Sequence, residues 1–153
     1  MVRVKLTDDA YAHLLELRTG MRHFEHWSEQ QARAAGLTTA QHQLLLTIRG
    51  HDDVRGPTVG EIAAYLYLRH HSAVGLIDRA EASRLVRRTR DDYDHRVVRL
   101  HLSIDGAMRL ERLSALHVEE IERLSASFRN AWDGLAPVVQ RSHGLANSSA
   151  IPS

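Results

Sequence analysis

The sequence predicts a mainly α-helical fold with one small β-hairpin, in which a winged helix-turn-helix unit is flanked by N- and C-terminal dimerisation helices. Apolar residues recur at three- and four-residue spacing through most of the chain, which is the period of an amphipathic helix. Apolar and polar residues alternate over 96–102, after a turn at 91–95 and a short strand candidate. Two short helices joined by a tight turn and followed by a basic hairpin are typical of a winged helix-turn-helix.

The starts of the first three helices follow from local signals. The first helix is predicted over 8–34, and Gly36 supplies its C-terminal stop. Thr38 opens a second helix, through 49, with the capping box Thr-Thr-Ala-Gln. Thr58 opens a third with a second capping box, Thr-Val-Gly-Glu.

The second half of the chain reads as a helix, a hairpin and a long helix. A fourth helix follows the turn at 67–69, and its buried face carries Ala73, Leu76, Ile77 and Ala80. The hairpin strands are predicted over 85–90 and 96–102. Ser103 is expected to cap a helix that runs to about residue 130, and Pro137 to break a shorter segment over 132–139. The tail at 146–153 is expected to be disordered.

Composition excludes several classes of protein. The chain contains no cysteine, so disulfides, thiol redox sensing, cysteine zinc sites and a cysteine nucleophile are excluded. It has no run of 18 apolar residues and its first residues lack the apolar segment of a signal peptide, so we expect no membrane span and a cytoplasmic location. No serine-nucleophile motif, phosphate-binding glycine loop or paired-acid site occurs, so we expect neither an enzyme nor a cofactor.

Positive charge is concentrated around the predicted hairpin. The whole chain has a net charge of only +1, but 69–99 contains eight arginines against five acidic residues. Clustered positive charge is what phosphate binding requires. Lys5 is the only lysine, and this preference for arginine also fits the codon usage of a GC-rich genome. Duplex DNA is therefore the expected partner.

The sequence resembles the MarR family over about residues 8 to 142. The motifs that carry the resemblance are, in order, Leu37-Thr38-x-x-Gln41, Thr58-Val59-Gly60-Glu61-Ile62-Ala63, Ile77-Asp78-Arg79-x-Glu81, Leu85-Val86-x-Arg88, Asp94-His95-Arg96 and Leu102-Ser103-x-x-Gly106. Each motif is weak by itself, but their order and spacing together are specific.

The resemblance implies a single domain over 1–153. Its dimerisation helices would be 8–36 and 104–145, and its DNA-binding unit 37–103. It also implies a homodimer on a pseudo-palindromic operator, with recognition helices in major grooves and wings in minor grooves. Such proteins are typically repressors that small phenolic or other aromatic compounds release.

The wing is expected to supply the first set of DNA contacts. Arg96 at the hairpin tip can enter the minor groove, where A·T-rich stretches concentrate negative potential. Asp94 can accept hydrogen bonds from its guanidinium and orient it, although the two could form only a surface ion pair. Arg88 and Arg90 are expected to reach phosphates, and the alternative for both is a solvated strand edge.

The fourth helix is expected to be the recognition helix. Its exposed residues, which we predict to contact DNA, are Arg69, His70, His71, Ser72, Gly75 and Arg79. The N-terminal turn of such a helix enters the major groove, so the two histidines and the serine are candidates for base contacts. Gly75 would permit a close approach. Asp78 is expected to pair within the domain instead.

The effector site is predicted less specifically. Its candidate residues, by position, are His23, Trp27, His42, Leu46 and Tyr67. His42 stands where the family usually has an aromatic residue, so it is either a core histidine or a pocket residue. Arg84 stands where the family usually has glycine, so the end of the fourth helix needs a different cap.

Two alternatives remain at the level of sequence. His23 and His26 have an i, i+3 spacing that suits a metal, and eleven histidines keep a metal- or haem-responsive regulator open, although no complete metal site is predicted. The other alternative is a winged-helix module for protein–protein contact, which the charged wing disfavours.

Overall fold

The computed structural model describes residues 6–147 of the chain, with side chains as far as residue 138. The elements are α1 (Asp8–Ala34), α2 (Thr39–Gly50), α3 (Val59–Tyr65), α4 (His70–Ala82), β1 (Val86–Arg90), β2 (Val98–Leu102) and α5 (Ile104–Asn147). The predicted mainly helical fold with one antiparallel hairpin is confirmed. Within the described residues, no helix is both long enough and apolar enough to cross a membrane.

The predicted helix ends are present as hydrogen-bonded caps. The Thr38 hydroxyl accepts from the backbone N–H of Gln41 at 3.1 Å, and the Gln41 side chain accepts from the N–H of Thr38 at 3.0 Å. Thr58 and Glu61 form the same reciprocal pair. Gly36 ends α1 with a φ of 75°, a conformation that glycine adopts without the steric cost of a Cβ.

The described chain forms two compact units. One consists of the described residues up to Trp27 together with those from Val118 onward, and the other is Ser28–His117. The second unit contains the whole winged helix-turn-helix predicted at 37–103, and also includes the end of α1 and the first turns of α5.

The core of the second unit is apolar and joins the three short helices to the hairpin. Its most completely buried large side chains include Leu44, Leu45, Ile62, Ile77, Leu85, Leu100 and Leu113. β1 and β2 pair with Arg88 opposite Leu100, and Val98 and Leu102 pack against the same core. The predicted alternation of β2 is confirmed, because Leu100 is fully buried at its centre.

The predicted break at Pro137 is wrong, because α5 is one helix from Ile104 to Asn147 and passes through this residue. A proline inside a helix removes one backbone hydrogen bond and costs about 3 kcal/mol. Pro137 lies on the exposed face of α5, whereas Ala131 and Leu135 on the same segment are buried at 1% and 7% exposure. Burial of that face favours the continuous helix. The predicted tail at 146–153 is helical to Asn147, and 148–153 lie outside the described residues.

Candidate nucleic-acid interface

The tip of the wing presents one arginine held by one aspartate. Arg96 donates from Nε to Oδ1 of Asp94 and from Nη2 to Oδ2, both at 3.1 Å. The Arg96 side chain is nevertheless 90% exposed. The guanidinium of Arg96 lowers the pKa of Asp94, and the carboxylate raises the pKa of Arg96 in return. The orientation predicted for this pair is therefore present, with the cation directed into solvent.

The base of the wing is held by a buried carboxylate that the sequence analysis missed. Asp91 is 5% exposed and accepts from the backbone N–H groups of Tyr93 and Asp94, both at 3.0 Å, and from Nε of Arg99 at 2.9 Å. The N–H of Asp94, together with Arg99 and the N–H of Tyr93, lowers the pKa of Asp91. The carboxylate thus stays charged and fixes the turn from which Arg96 projects.

The same arginine connects the wing to the loop before α3. Arg99 donates to the carbonyl oxygen of Gly56 at 3.1 Å and lies 3.5 Å from Asp53. Asp53 also binds Arg55, whose guanidinium lies 3.5 Å from Asp91. Gly56 has a φ of 83°, and a Cβ there would lie 2.2 Å from the carbonyl oxygen of Leu100. The close approach of loop and strand therefore requires glycine.

The other two predicted wing arginines have partners within the chain. Arg88 donates to Glu81 at 2.6 Å and also to Asp78, so it links β1 to the C-terminal half of α4. The pairing expected for Asp78 is thereby observed. Arg90 is exposed and donates to the carbonyl oxygen of His95 at 2.8 Å across the hairpin turn. Phosphate contact by either arginine stays a prediction.

The N-terminal end of α4 exposes the predicted base-reading residues. Arg69 is the N-cap residue, and its side chain makes no capping hydrogen bond. Arg69, His70 and His71 are exposed, and Ser72 is half-buried one turn before Gly75. An added Cβ at Gly75 would meet only the end of the Arg79 side chain, at 3.3 Å. The structure thus places all of these residues on α4 or at its N-cap. Gly75, near the middle of the helix, has no side chain of its own to cover the backbone.

The two ends of the recognition helix carry residues in the left-handed region. Tyr67, in the turn between α3 and α4, has a φ of 53° and is 97% exposed. Arg84, just after α4, has a φ of 59°. The Ser103 hydroxyl donates to the carbonyl oxygen of Arg84 at 2.6 Å and accepts from the N–H of Gly106 at 2.9 Å. Arg84 itself takes the left-handed position of the missing glycine, and the N–H of Leu85 reaches the carbonyl oxygen of Ala80 at 2.9 Å, so the expectation of a different cap is wrong.

His42 is buried and packs against a second histidine. Its side chain is 6% exposed, and its ring centroid lies 4.8 Å from that of His117. Burial, and secondly the charge of His117, lower the pKa of His42 to about 4. His117 Nδ1 donates to the carbonyl oxygen of Leu113 at 2.7 Å, so in the neutral ring Nε2 accepts from the Ser28 hydroxyl at 2.7 Å.

The other effector candidates are dispersed. His23 lines a groove of about 570 Å³ between α1 and α5 in the first unit. Trp27, further along α1, stacks on Phe24. Leu46 lies in a groove of about 330 Å³ between α2 and α5 in the second unit. Tyr67 lies exposed in the turn between α3 and α4 and does not line either groove. Among the described residues, no group of three or more histidines, cysteines or carboxylates is arranged to hold a metal ion.

Sequence reasoning missed the residues that act through tertiary contacts. Asp91 was assigned only to a turn, and Arg99 only to the polar face of β2. The signal for this pair was slight: an arginine on a strand and an aspartate across the hairpin turn. Ser28 and His117 are 89 positions apart in the chain, and nothing local indicates their contact.

Comparison with known proteins identifies the central part of this arrangement. Residues 35–97 match the model of the MarR family. The HTH-type transcriptional regulator YsmB of Bacillus subtilis strain 168 is 27% identical over 127 residues, which cover 80% of this chain and 85% of the relative.

Solved structures show the same fold. AbsC, a MarR-family regulator from Streptomyces coelicolor, is 22% identical, with a TM-score of 0.65 over 94% of this chain and 99% of that one. MepR of Staphylococcus aureus, in a structure described as a MepR–DNA complex, is 19% identical, with a TM-score of 0.66 over 92% and 99%. The resemblance inferred from the sequence motifs is therefore confirmed.

Proposed function

We propose that this chain, whose residues 35–97 match the model of the MarR family, represses transcription as a homodimer on a pseudo-palindromic operator until a small aromatic effector releases it. The family consists of DNA-binding transcription regulators rather than enzymes, so the output is an equilibrium between bound and free DNA. The observation that carries the proposal is the exposed Arg96 at the wing tip, oriented by Asp94. A cation held in this way loses little conformational freedom when it enters a minor groove.

The direct test is fluorescence-anisotropy titration of the intergenic duplex upstream of the protein's own gene, over a series of salt concentrations. The wild type should bind this duplex far more tightly than random duplex, with affinity falling steeply as salt rises. Arg96→Ala should lower the affinity about tenfold. Arg33→Ala is the matched control, because Arg33 is also exposed and paired with one carboxylate, Glu29 on α1.

The outcomes separate three claims. If the wild type binds the intergenic duplex no better than random duplex, its own promoter is not the target. If Arg96→Ala binds as tightly as Arg33→Ala, the wing does not contribute as proposed. If the wild type binds no duplex even at low salt, the DNA-binding claim fails and a protein-interaction module takes its place.

The recognition helix is proposed to read bases through His70, His71 and Ser72, with Arg69 and Arg79 at phosphates. Gly75 offers a test of close approach. In a helix, Gly75→Ala should raise the free energy of unfolding by about 0.5–1 kcal/mol, since only the flexible end of Arg79 has to shift. DNA affinity should fall nevertheless, because the added methyl group would collide with the DNA in the major groove that α4 enters. A variant that gains both stability and affinity would contradict this placement.

Arg90 and Arg88 are also proposed to contact phosphates. In the free chain, Arg90 donates to the nearby carbonyl oxygen of His95. Arg88 is bound to two carboxylates in the free chain, so its role on DNA requires an exchange of partners. Its contribution is measured by the salt dependence of binding. A lost phosphate contact reduces the slope of log affinity against log salt by about one, whereas a purely structural role leaves the slope unchanged.

The proposed homodimer is supported by apolar side chains exposed on the first unit. The largest of these, between 43% and 65% exposed, are Tyr11, Leu15, Met21, Val118, Ile121 and Trp132. Contact with a second copy of the chain would remove this apolar surface from water. Light scattering coupled to size exclusion should give twice the chain mass, and the double substitution of Leu15 and Ile121 by glutamate should give a monomer. A monomeric wild type would contradict the proposal.

The effector is proposed to bind in the groove between α2 and α5. This groove of about 330 Å³ is lined by the apolar Leu46 and Leu110 and by the charged Arg49 and Glu111, so it suits a small aromatic compound that carries a polar group. A panel of benzoates and phenols should release the DNA complex, and Leu46→Trp should block release by filling the groove without changing charge. If the compounds release DNA equally well from the wild type and from Leu46→Trp, the effector does not bind in this groove.

The proposed mechanism of release is a change in the separation of the two recognition helices. The half-sites of a dimeric regulator lie about one helical turn, roughly 34 Å, apart on DNA, so a small rigid-body shift breaks the register. Crystal structures of the DNA-bound and effector-bound dimers should differ in this separation. Identical separations would count against the mechanism.

A further inference from the structure

We propose that Tyr67 is an additional DNA contact, whose phenol hydroxyl donates to a phosphate oxygen beside the groove that α4 enters. The inference rests on the DNA-binding function proposed above, and it gives Tyr67 a different role from the effector contact expected from the sequence. Backbone conformation, exposure and position carry it together.

The backbone at Tyr67 adopts a conformation that suits glycine. Its φ of 53° lies in the left-handed region, which is unfavourable for any side chain with a Cβ. The end of α3 requires this conformation, because the N–H of Leu68 reaches the carbonyl oxygen of Ala63 at 2.9 Å. The end of α1 forms the equivalent bond, from Leu37 to Ala32, and there the left-handed residue is Gly36. The cap at α3 thus needs the conformation but not the tyrosine.

No contact in the free chain accounts for this side chain. Tyr67 is 97% exposed, more than any of the other three tyrosines, which range from 59% to 86%. Within the described part of the chain, its ring and hydroxyl make no hydrogen bond or ring contact. Packing within the chain therefore does not offset the conformational cost, whereas a contact with DNA would.

The two neighbours of Tyr67 anchor the turn. Leu66 and Leu68 both pack against the apolar core, so the residue between them is directed away from it. Arg69, the N-cap residue of α4, comes directly after Leu68. A helix that enters the major groove by its N-terminus brings the preceding turn to the edge of the groove, where the phosphates lie. Tyrosine hydroxyls are regular donors to phosphate oxygens and carry no charge.

Two variants test the role. Tyr67→Phe removes only the hydroxyl and should weaken binding about tenfold, by the loss of one hydrogen bond to a charged group. Tyr67→Gly should weaken binding at least as much, yet raise the midpoint of thermal unfolding by about 2–4 °C, because it relieves the left-handed tyrosine. Unlike Arg96→Ala, both variants should keep the wild-type salt slope, since no charge is lost.

Arg84→Gly is the matched control. Arg84 is also an exposed left-handed residue, with a φ of 59°, but it lies after the C-terminal end of α4, which is 13 residues long. The substitution should raise the unfolding midpoint in the same way, so it is the control for the stability effect alone. All variants are compared at one protein concentration, because the midpoint of a dimer depends on it.

The binding probes are the intergenic duplex and a random-sequence duplex at low salt. A phosphate contact is independent of sequence, so the Tyr67 variants should lose the same factor on both. If Tyr67→Phe and Tyr67→Gly bind like the wild type while Arg96→Ala is weakened, Tyr67 is not a DNA contact, although the DNA-binding function stands. If the wild type binds neither duplex, both proposals fail.

Discussion

Protonation of the buried His42 should make the stability of this protein depend on pH between about 6.5 and 4. Its pKa is about 4 in the folded chain, lowered from 6.5 chiefly by burial and secondly by the charge of the neighbouring His117. In this window the unfolded chain therefore binds more protons than the folded one, and stability falls as the pH falls. Each pKa unit corresponds to about 1.4 kcal/mol, so the full effect approaches ~3 kcal/mol.

The assay is urea unfolding of the wild type and His42→Phe, each at about pH 7.5 and pH 4.5 in the same salt. Because pH 4.5 lies about two units below the unfolded pKa, His42 should account for a loss of about 2–3 kcal/mol. His42→Phe keeps a buried aromatic ring and should lack this part of the loss. Other groups titrate in both proteins, so the difference between the two isolates His42.

Ile48→Val on the same helix serves as the control. It should lower the free energy of unfolding by about 0.5–1.5 kcal/mol at both pH values without altering the pH dependence. If the wild type and His42→Phe lose equal stability on acidification, His42 is either not buried as described or not neutral, and the reasoning is refuted.

Three further substitutions test the elements that position the interface. Thr58→Ala removes the cap of α3 and should lower the free energy of unfolding by about 1 kcal/mol in urea; no change would mean that the cap is dispensable. Leu100→Ala, at the fully buried centre of β2, should cost about 3–5 kcal/mol by thermal unfolding, and a much smaller loss would indicate that the core collapses into the cavity. Gly106→Ala would bring a Cβ within 2.0 Å of the carbonyl oxygen of Leu85, so circular dichroism should show a strongly lowered unfolding midpoint; a wild-type midpoint would contradict this contact.

The local elements of this protein were predictable because their causes lie within a few residues. Thr38 and Thr58 start α2 and α3 through bonds to residues three positions on, and Gly36 ends α1 by its own conformational freedom. The alternation in β2 specified which side faces the core. The pairing of Asp94 with Arg96 was predictable for the same reason, since donor and acceptor lie two positions apart in the chain.

Only the tertiary structure decided which residues far apart in the chain are in contact. Proline disfavours a helix locally, yet burial of Ala131 and Leu135 carries α5 through Pro137. A turn aspartate and a strand arginine, Asp91 and Arg99, become the base of the wing only when the hairpin closes. Local sequence determines where an element begins and which face is apolar, because those energies act over one or two turns. Which partners meet across the core depends on how the elements pack, and that packing is a property of the whole unit.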